Sequence, residues 1–339
     1  MTALSSAKTA VSRGPWATAM NRLSRDRTAL VALFFFIAIV IFCLLAPVYA
    51  YWAGVEPFKS TLDAVITING KPQPVMELPT TGLALGYTPI GPTWQPGNYF
   101  LGADNQGRDV MARLLYGGMN SLLIASAATT FTLLFATLLG LLAGFFGGLI
   151  DMVISRILDV LWAFPVYLLA ISLSVVMITE GITIGPFVIE SGSLWLPIFI
   201  IGLIYIPYVA RPIRGQVMAL RNSDFVMAAI GLGAPSSRIM IKDILPNIST
   251  TLIVFVPIMM ALNMLTESAL SFLSIGVQPP DASWGSIIQD GQTLLYTRPA
   301  VALAPGLMIV ASVLTLNIFG DGLRDALDPK SKIKLGRTG

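Results

Sequence analysis

The sequence predicts an all-α integral membrane protein with six transmembrane helices and a small β-hairpin in an extracytoplasmic loop. Three observations carry this prediction. The chain is 55% hydrophobic and only 12% charged, with a mean hydropathy of +0.77, whereas soluble domains average about 25% charged residues. Six stretches approach the roughly 20 apolar residues that cross a hydrocarbon core. Lys and Arg are also unevenly divided between loops that alternate sides, as the positive-inside rule requires.

The predicted spans are 29–51, 121–145, 154–178, 194–210, 251–273 and 301–319. The fourth is short and holds Pro197 and Pro207, tolerable where neighbouring helices satisfy the freed backbone groups. A kink is expected at Pro207. Residues 1–28 and 320–339 form tails, 52–120 a long extracytoplasmic loop, and 121–319 a five-helix core interrupted by a connection at 213–250. With the N-terminus inside, only Lys59, Lys71, Arg108, Arg113 and Arg298 of the 21 Lys and Arg residues fall outside. Both termini are therefore expected in the cytoplasm. A cleaved signal peptide is the rival reading of the first span, and Val48-Tyr49-Ala50 resembles a cleavage site. The apolar run exceeds the usual 7–15 residues and a long basic region precedes it, so a retained helix is the reading adopted.

Cys43 is the single cysteine and histidine is absent. The first reads as a small buried hydrophobe; the second removes the commonest general base and metal ligand. No catalytic, cofactor-binding or metal-binding residues are assigned.

In the long outer loop, 64–68, then Asn69-Gly70, then 74–78 reads as a hairpin, because Asn-Gly supplies the positive φ of a tight turn. Pro72 and Pro74 confine the second arm to an edge. The hairpin either docks a partner protein or caps the bundle. Asp104, Asn105 and Asp109 sit too close together, without a terminal Glu, for a calcium loop. The stretch reads instead as a capped interfacial helix, with Asp109 and Arg113 paired at i,i+4 and Val110, Leu114 and Leu115 facing lipid or protein.

The connection 213–250 carries the sharpest punctuation. A helix is predicted over 225–230, a break at 231–234, and a second helix from Pro235 to about Leu245, ended by Pro246. Gly233 suits a left-handed C-cap and Pro235 the first helical position. Asp224, Met227, Ala228, Ala229, Gly233, Ala234, Pro235, Leu245 and Pro246 then form a compact knob with small residues at its surface. Partner docking is one reading and an ordinary solvated loop the other, which would not need such punctuation.

Within the spans, Asn263, Glu267 and Ser271 recur every four residues and make one polar stripe. An intramembrane carboxylate is costly unless it faces a cavity or a partner; the stripe either lines a translocation path or makes a structural hydrogen bond. Arg156 and Asp159 are expected as a structural ion pair at i,i+3. Gly140 and Gly144 suit close helix packing, against a partner subunit or within the chain.

The knob resembles the cytoplasmic loop of ABC importer permeases, which carries Glu-Ala-Ala, three residues, then Gly, and ends near Leu-Pro. Met227-Ala228-Ala229, Gly233 and Leu245-Pro246 fall at those spacings, with Met227 in place of the Glu. Residues 101–117, the group Gly147, Gly148, Asp151, Arg156, Asp159, Phe164 and Pro165, the run 267–280 with Ser283-Trp284-Gly285, and 317–329 are similar to the C-type permease of the dipeptide/oligopeptide/nickel transport family. The resemblance covers about 25–329; the insert 52–99 is longer than the family leads one to expect.

The resemblance implies a type I ABC importer permease in the lipid bilayer of a bacterial inner membrane. It implies a heterodimeric pore with a second homologous permease, two cytoplasmic ATPase subunits docked on the knob, and an extracytoplasmic substrate-binding protein. Dipeptides or oligopeptides are the expected cargo, with nickel, opines or oligosaccharides as alternatives, and no cofactor or nucleic acid is expected. The chain has no Gly-x-x-x-x-Gly-Lys-Ser/Thr loop, so ATP hydrolysis is expected in other subunits and none here. A secondary transporter would show inverted repeats and broken helix pairs, a channel a filter loop or charge rings, and a membrane enzyme a convergent cluster of acid, base or metal ligands. The sequence presents none of these plainly.

Overall fold

The computed structural model describes residues 15–68, 70–77, 87–184, 187–190 and 192–327. A short helix α1 (Pro15–Leu23) leads into α2 (Arg27–Leu44) and α3 (Ala46–Ala53). Asp26 starts α2 because its carboxylate accepts from the Thr28 and Ala29 amides at 3.0 and 3.1 Å, satisfying donors that a helix start leaves unpaired. At the other end of α2, an extracytoplasmic insert by the sequence reading opens with β1 (Val65–Ile68) and β2 (Lys71–Pro74), followed by β3 (Met76–Glu77) and β4 (Thr88–Pro89).

The hairpin departs from expectation in its second arm. Val65 pairs with Pro74 and Ile68 with Lys71, so the arm is 71–74 and not 74–78. A two-residue turn pairs the residues immediately flanking it, and Gly70 takes φ +77°. The chain then passes to a second ladder, Met76 against Pro89 and Glu77 against Thr88. Leu78 lies outside the described residues.

Helix α4 (Val110–Phe146) runs unbroken for 37 residues, about 55 Å at 1.5 Å per residue. The expected interfacial helix is therefore the first three turns of this one element. Its neighbours are α5 (Gly148–Ala163) and α6 (Val166–Glu180), strands β5 (Ile182–Ile184) and β6 (Phe187–Ile189), then α7 (Trp195–Ile204) and α8 (Ile206–Arg221). The third span is not one helix: α5 and α6 meet at 90°. Pro165 has no amide hydrogen to donate and pushes the preceding residue out of helical geometry, and Phe164 is extended at φ −91°, ψ 142°. The fourth span bends by 43° between α7 and α8, beside Pro207 as expected, and α8 continues to Arg221.

After α8 come α9 (Asp224–Gly231), α10 (Ser236–Arg238), a π-turn over Ile239–Ile244, and α11 (Leu245–Phe272). Pro246 does not end a helix. It lies in the first turn of α11, where its missing N–H has no partner to lose, and the polypeptide stays helical from 236 to 272. The last elements are α12 (Trp284–Gly291), a 3₁₀ turn over Gln292–Leu294, and α13 (Ala300–Leu327).

By length and composition four helices can each cross a membrane, and six spans result if each bent pair counts as one. Helix α4 is the axis of the bundle, with α8, α7, α11 and α2 packed around it. A Cβ on Gly140 would stand 2.7 Å from Ile213 Cγ2, and one on Gly144 would stand 2.8 Å from the Arg214 carbonyl oxygen. The glycine pair thus serves packing of α4 on α8 within this chain. Cys43 is buried against Gly118 and Trp284.

Candidate coupling and translocation sites

The knob between α8 and α11 is built by a turn that the sequence announces. The Ala234 amide donates to Ala229 O at 3.1 Å and the Gly233 amide to Ile230 O at 2.9 Å, the paired bonds of a Schellman C-cap. Gly233 supplies the left-handed residue at φ +77°, and Pro235 follows as the N-cap of α10, one position before the expected one. Val226, Ile239 and Ile244 are buried and anchor the knob to the bundle. Its outward side is apolar: Met227 is 56% exposed, Ile230 47% and Leu232 87%. Asp224, Ala228, Gly233, Pro235 and Pro246 share this exposure, while Ala229, Ala234 and Leu245 are half-buried. Phe225, Ile230, Leu232 and Ile241 were not singled out by the sequence; their signal was an apolar run inside a segment that no span requires.

The polar stripe Asn263, Glu267 and Ser271 is wholly buried, closed inside the chain. It does not face an open path. Asn263 Nδ2 donates to Thr129 Oγ1 of α4 at 2.9 Å. Glu267 accepts from Ser121 Oγ of α4 at 2.9 Å and from Ser271 Oγ at 2.7 Å, with Ser268 Oγ at 3.4 Å. Both principal hydroxyls also hold backbone. Ser271 Oγ accepts from the Val277 amide at 3.0 Å and Ser121 Oγ from the Trp284 amide at 3.1 Å. One carboxylate therefore pins, through two serines, the middle of the loop 273–283 at Val277 and the start of α12 at Trp284. The fully buried Trp284 completes the seal by donating from Nε1 to Leu114 O at 3.0 Å.

Arg156 and Asp159 pair at 3.9 Å on the surface, and Asp159 also takes Arg211, more closely, at 2.9 Å. Arg214 grips Asp151 with two nitrogens, so these ion pairs brace α5 against α8. The expected Asp109–Arg113 pair is absent. Asp109 caps α4, accepting from the Ala112 amide at 2.8 Å and from the Tyr99 amide, and burial pushes its pKa up to about 6. Arg113 turns instead to Asp104 and Asp290.

Comparison with known proteins decides the family. The model of the binding-protein-dependent transport system inner membrane component matches residues 136–333, and that of the N-terminal transmembrane domain of oligopeptide transport permease C matches 14–62. The chain belongs to this permease family. It is 34% identical to the dipeptide transport system permease protein of Alkalihalophilus pseudofirmus, over 96% of this chain and 92% of that one. It is 31% identical to the oligopeptide transport system permease protein of Haemophilus influenzae, over 94% and 90%. A chain of the inward-facing MetNI methionine ABC transporter matches in fold, with a TM-score of 0.51 at 16% identity, over 65% of this chain and 98% of that one.

At the hairpin end the permease carries a charge cluster that sequence reading missed. Asp104 and Asp290 bind Arg108 and Arg113, with Arg108 Nε on Asp104 at 2.7 Å and Arg113 on Asp290 at 2.8 Å. Both arginines are almost fully buried, and pairing is what makes such charges tolerable there. The insert is tied on beside it. Arg298 donates from Nε to Pro89 O at 2.6 Å and meets Glu77 at 3.4 Å, and Thr61 bonds Gly107 O.

Proposed function

We propose that this chain forms half of a translocation pore, imports dipeptides or oligopeptides handed over by an extracytoplasmic binding protein, and couples through α9 to ATPase subunits. The knob carries this reading: a water-facing turn with Leu232 at its tip has no reason to be apolar unless a protein covers it. The peptide cargo is supported by the relatives named above. The chain itself is non-catalytic and brings conformational states with different contacts rather than chemistry. Both termini and the knob are assigned to the cytoplasm by the positive-inside rule, a reading supported by the packing of α1 on α13. Glu267 is a structural residue that fixes the outer loop, with translocation passing elsewhere.

Cross-linking tests the docking and the orientation together. In the assembled transporter on a Cys43→Ala background, Leu232→Cys should link to an ATPase subunit through a short bifunctional thiol–amine reagent. Ser274→Cys, exposed at the opposite end of α11, should not. Reversal of the two results would refute the assignment.

A further inference from the structure

Between α8, α11 and α13, at the end of the bundle that carries α1, lies a groove of about 480 Å³, within the range of small-ligand sites. Its lining includes Tyr208, Gln216, Thr250, Thr251, Phe255 and Arg324, and Arg324 is the one charged side chain in it. Arg324 is exposed, and among the described residues it makes no ion pair. Gln216 Nε2 is held by Thr251 Oγ1 at 2.8 Å, which fixes the carboxamide, while its carbonyl oxygen, the Tyr208 hydroxyl and the Thr250 hydroxyl have no hydrogen-bond partner among the described residues. Phe255 meets the Tyr208 ring edge-on at 6.1 Å and supplies an apolar wall.

This set is selective in its chemistry. A lone guanidinium asks for a carboxylate or another planar anion, which it binds in a two-pronged fashion. Unspent amide and hydroxyl groups match the donors and acceptors of peptide bonds, and the aromatic wall accepts an apolar side chain. The segment following Leu327 carries Asp328 and then Lys330, Lys332, Lys334 and Arg337, four positive side chains against one negative, so it is like in charge to Arg324 and a poor occupant.

We propose that this groove is a transit site for the C-terminal end of an imported peptide, its carboxylate on Arg324, its last peptide bonds on Gln216 and Thr250, and its apolar side chain against Phe255. The proposal rests on the peptide-import reading above and adds a site to it. It places a weak, carboxylate-selective contact at the cytoplasmic exit, where a cargo must be held loosely enough to leave.

The test uses the complete transporter, with its partner permease and ATPases, nucleotide-free in nanodiscs of pure phosphatidylcholine and without binding protein. Radiolabelled Ala-Ala-Phe and its C-terminal amide are titrated in parallel. The free acid should bind about tenfold more tightly than the amide, the factor expected for a charge-assisted contact. Arg324→Gln should erase that preference and Arg324→Lys should retain part of it. An equal affinity for acid and amide in the native transporter, or a preference that survives Arg324→Gln, overturns the proposal. So does Arg324-dependent capture of short-chain phosphatidylglycerol, added in a parallel titration, with no peptide binding, which would assign the groove to lipid. ATP-driven uptake of the same peptide, with binding protein restored, separates the two readings. Uptake without the Arg324 preference sinks the groove alone, and absence of uptake sinks the peptide reading and the groove with it.

Discussion

Glu267 shows how a costly residue becomes a structural one. A carboxylate inside a helix bundle is destabilising unless partners replace its water, and here Ser121, Ser271 and Ser268 do so. Because Ser271 and Ser121 also bind the amides of Val277 and Trp284, removing the carboxylate should loosen the middle of 273–283 and the start of α12. Glu267→Ala is expected to lower the stability of the purified transporter by about 2–4 kcal/mol, as for a broken buried network, and Glu267→Gln by less, since one acceptor oxygen stays. Thermal unfolding in detergent checks this, and an unchanged midpoint for the alanine variant would show that the loop is held by other means. Spacing alone put Asn263, Glu267 and Ser271 on one face; it could not say what covers that face. The same blindness affected Arg113, whose neighbour four residues back was already committed to capping α4. Its actual partners are Asp104 and Asp290, the latter 177 residues away and beyond any local rule.

At the scale of elements, the existence of the long apolar helices was legible, while their continuity and the short helices α1 and α12 were not. Apolar length revealed every span, while the 90° break at Phe164–Pro165 and the helical passage through Pro246 both turned on where a proline falls within its turn. Pro165 interrupts the chain; Pro246 opens a first turn, preceded by π geometry over Ile239–Ile244. The hairpin was foreseen from Asn-Gly, yet its second arm was placed too late because the two-residue turn was not carried through to the register. Helix contact was half legible: the Gly140 and Gly144 spacing pointed to close packing but not to the partner, which is α8. Gly144→Ala should therefore force α4 and α8 apart and cost about 1–3 kcal/mol. Gly306→Ala, with open space at its Cβ, should be neutral or slightly stabilising. Thermal midpoints of the two variants that do not differ would place the tight contact elsewhere.

For the whole molecule, one end is tied together by buried polar contacts and the other exposes apolar side chains. Buried pairs of Asp104, Asp290, Arg108 and Arg113, the serine-bound Glu267 and the Arg298 tether lock the hairpin end. The opposite end offers an apolar knob on a glycine turn and a groove with unspent polar groups. That asymmetry suits the proposed coupling, in which force on α9 would pass through α10 and the π-turn into α11, helical without a break from 236 to 272. The knob's position and its glycine were readable from the sequence because turn chemistry is local. Its exposed apolar residues emerged only once the anchors Val226, Ile239 and Ile244 were seen to face inward.

The most direct measurement is transport in proteoliposomes holding the complete transporter and its binding protein, with Gly233→Val in this subunit. A β-branched residue resists φ +77°, so the knob should distort while the spans stay folded. The account predicts ATP hydrolysis that no longer rises with loaded binding protein, and peptide accumulation reduced at least about tenfold, the cost of a few kcal/mol of strain in coupling. Full, substrate-stimulated accumulation by this variant would contradict it.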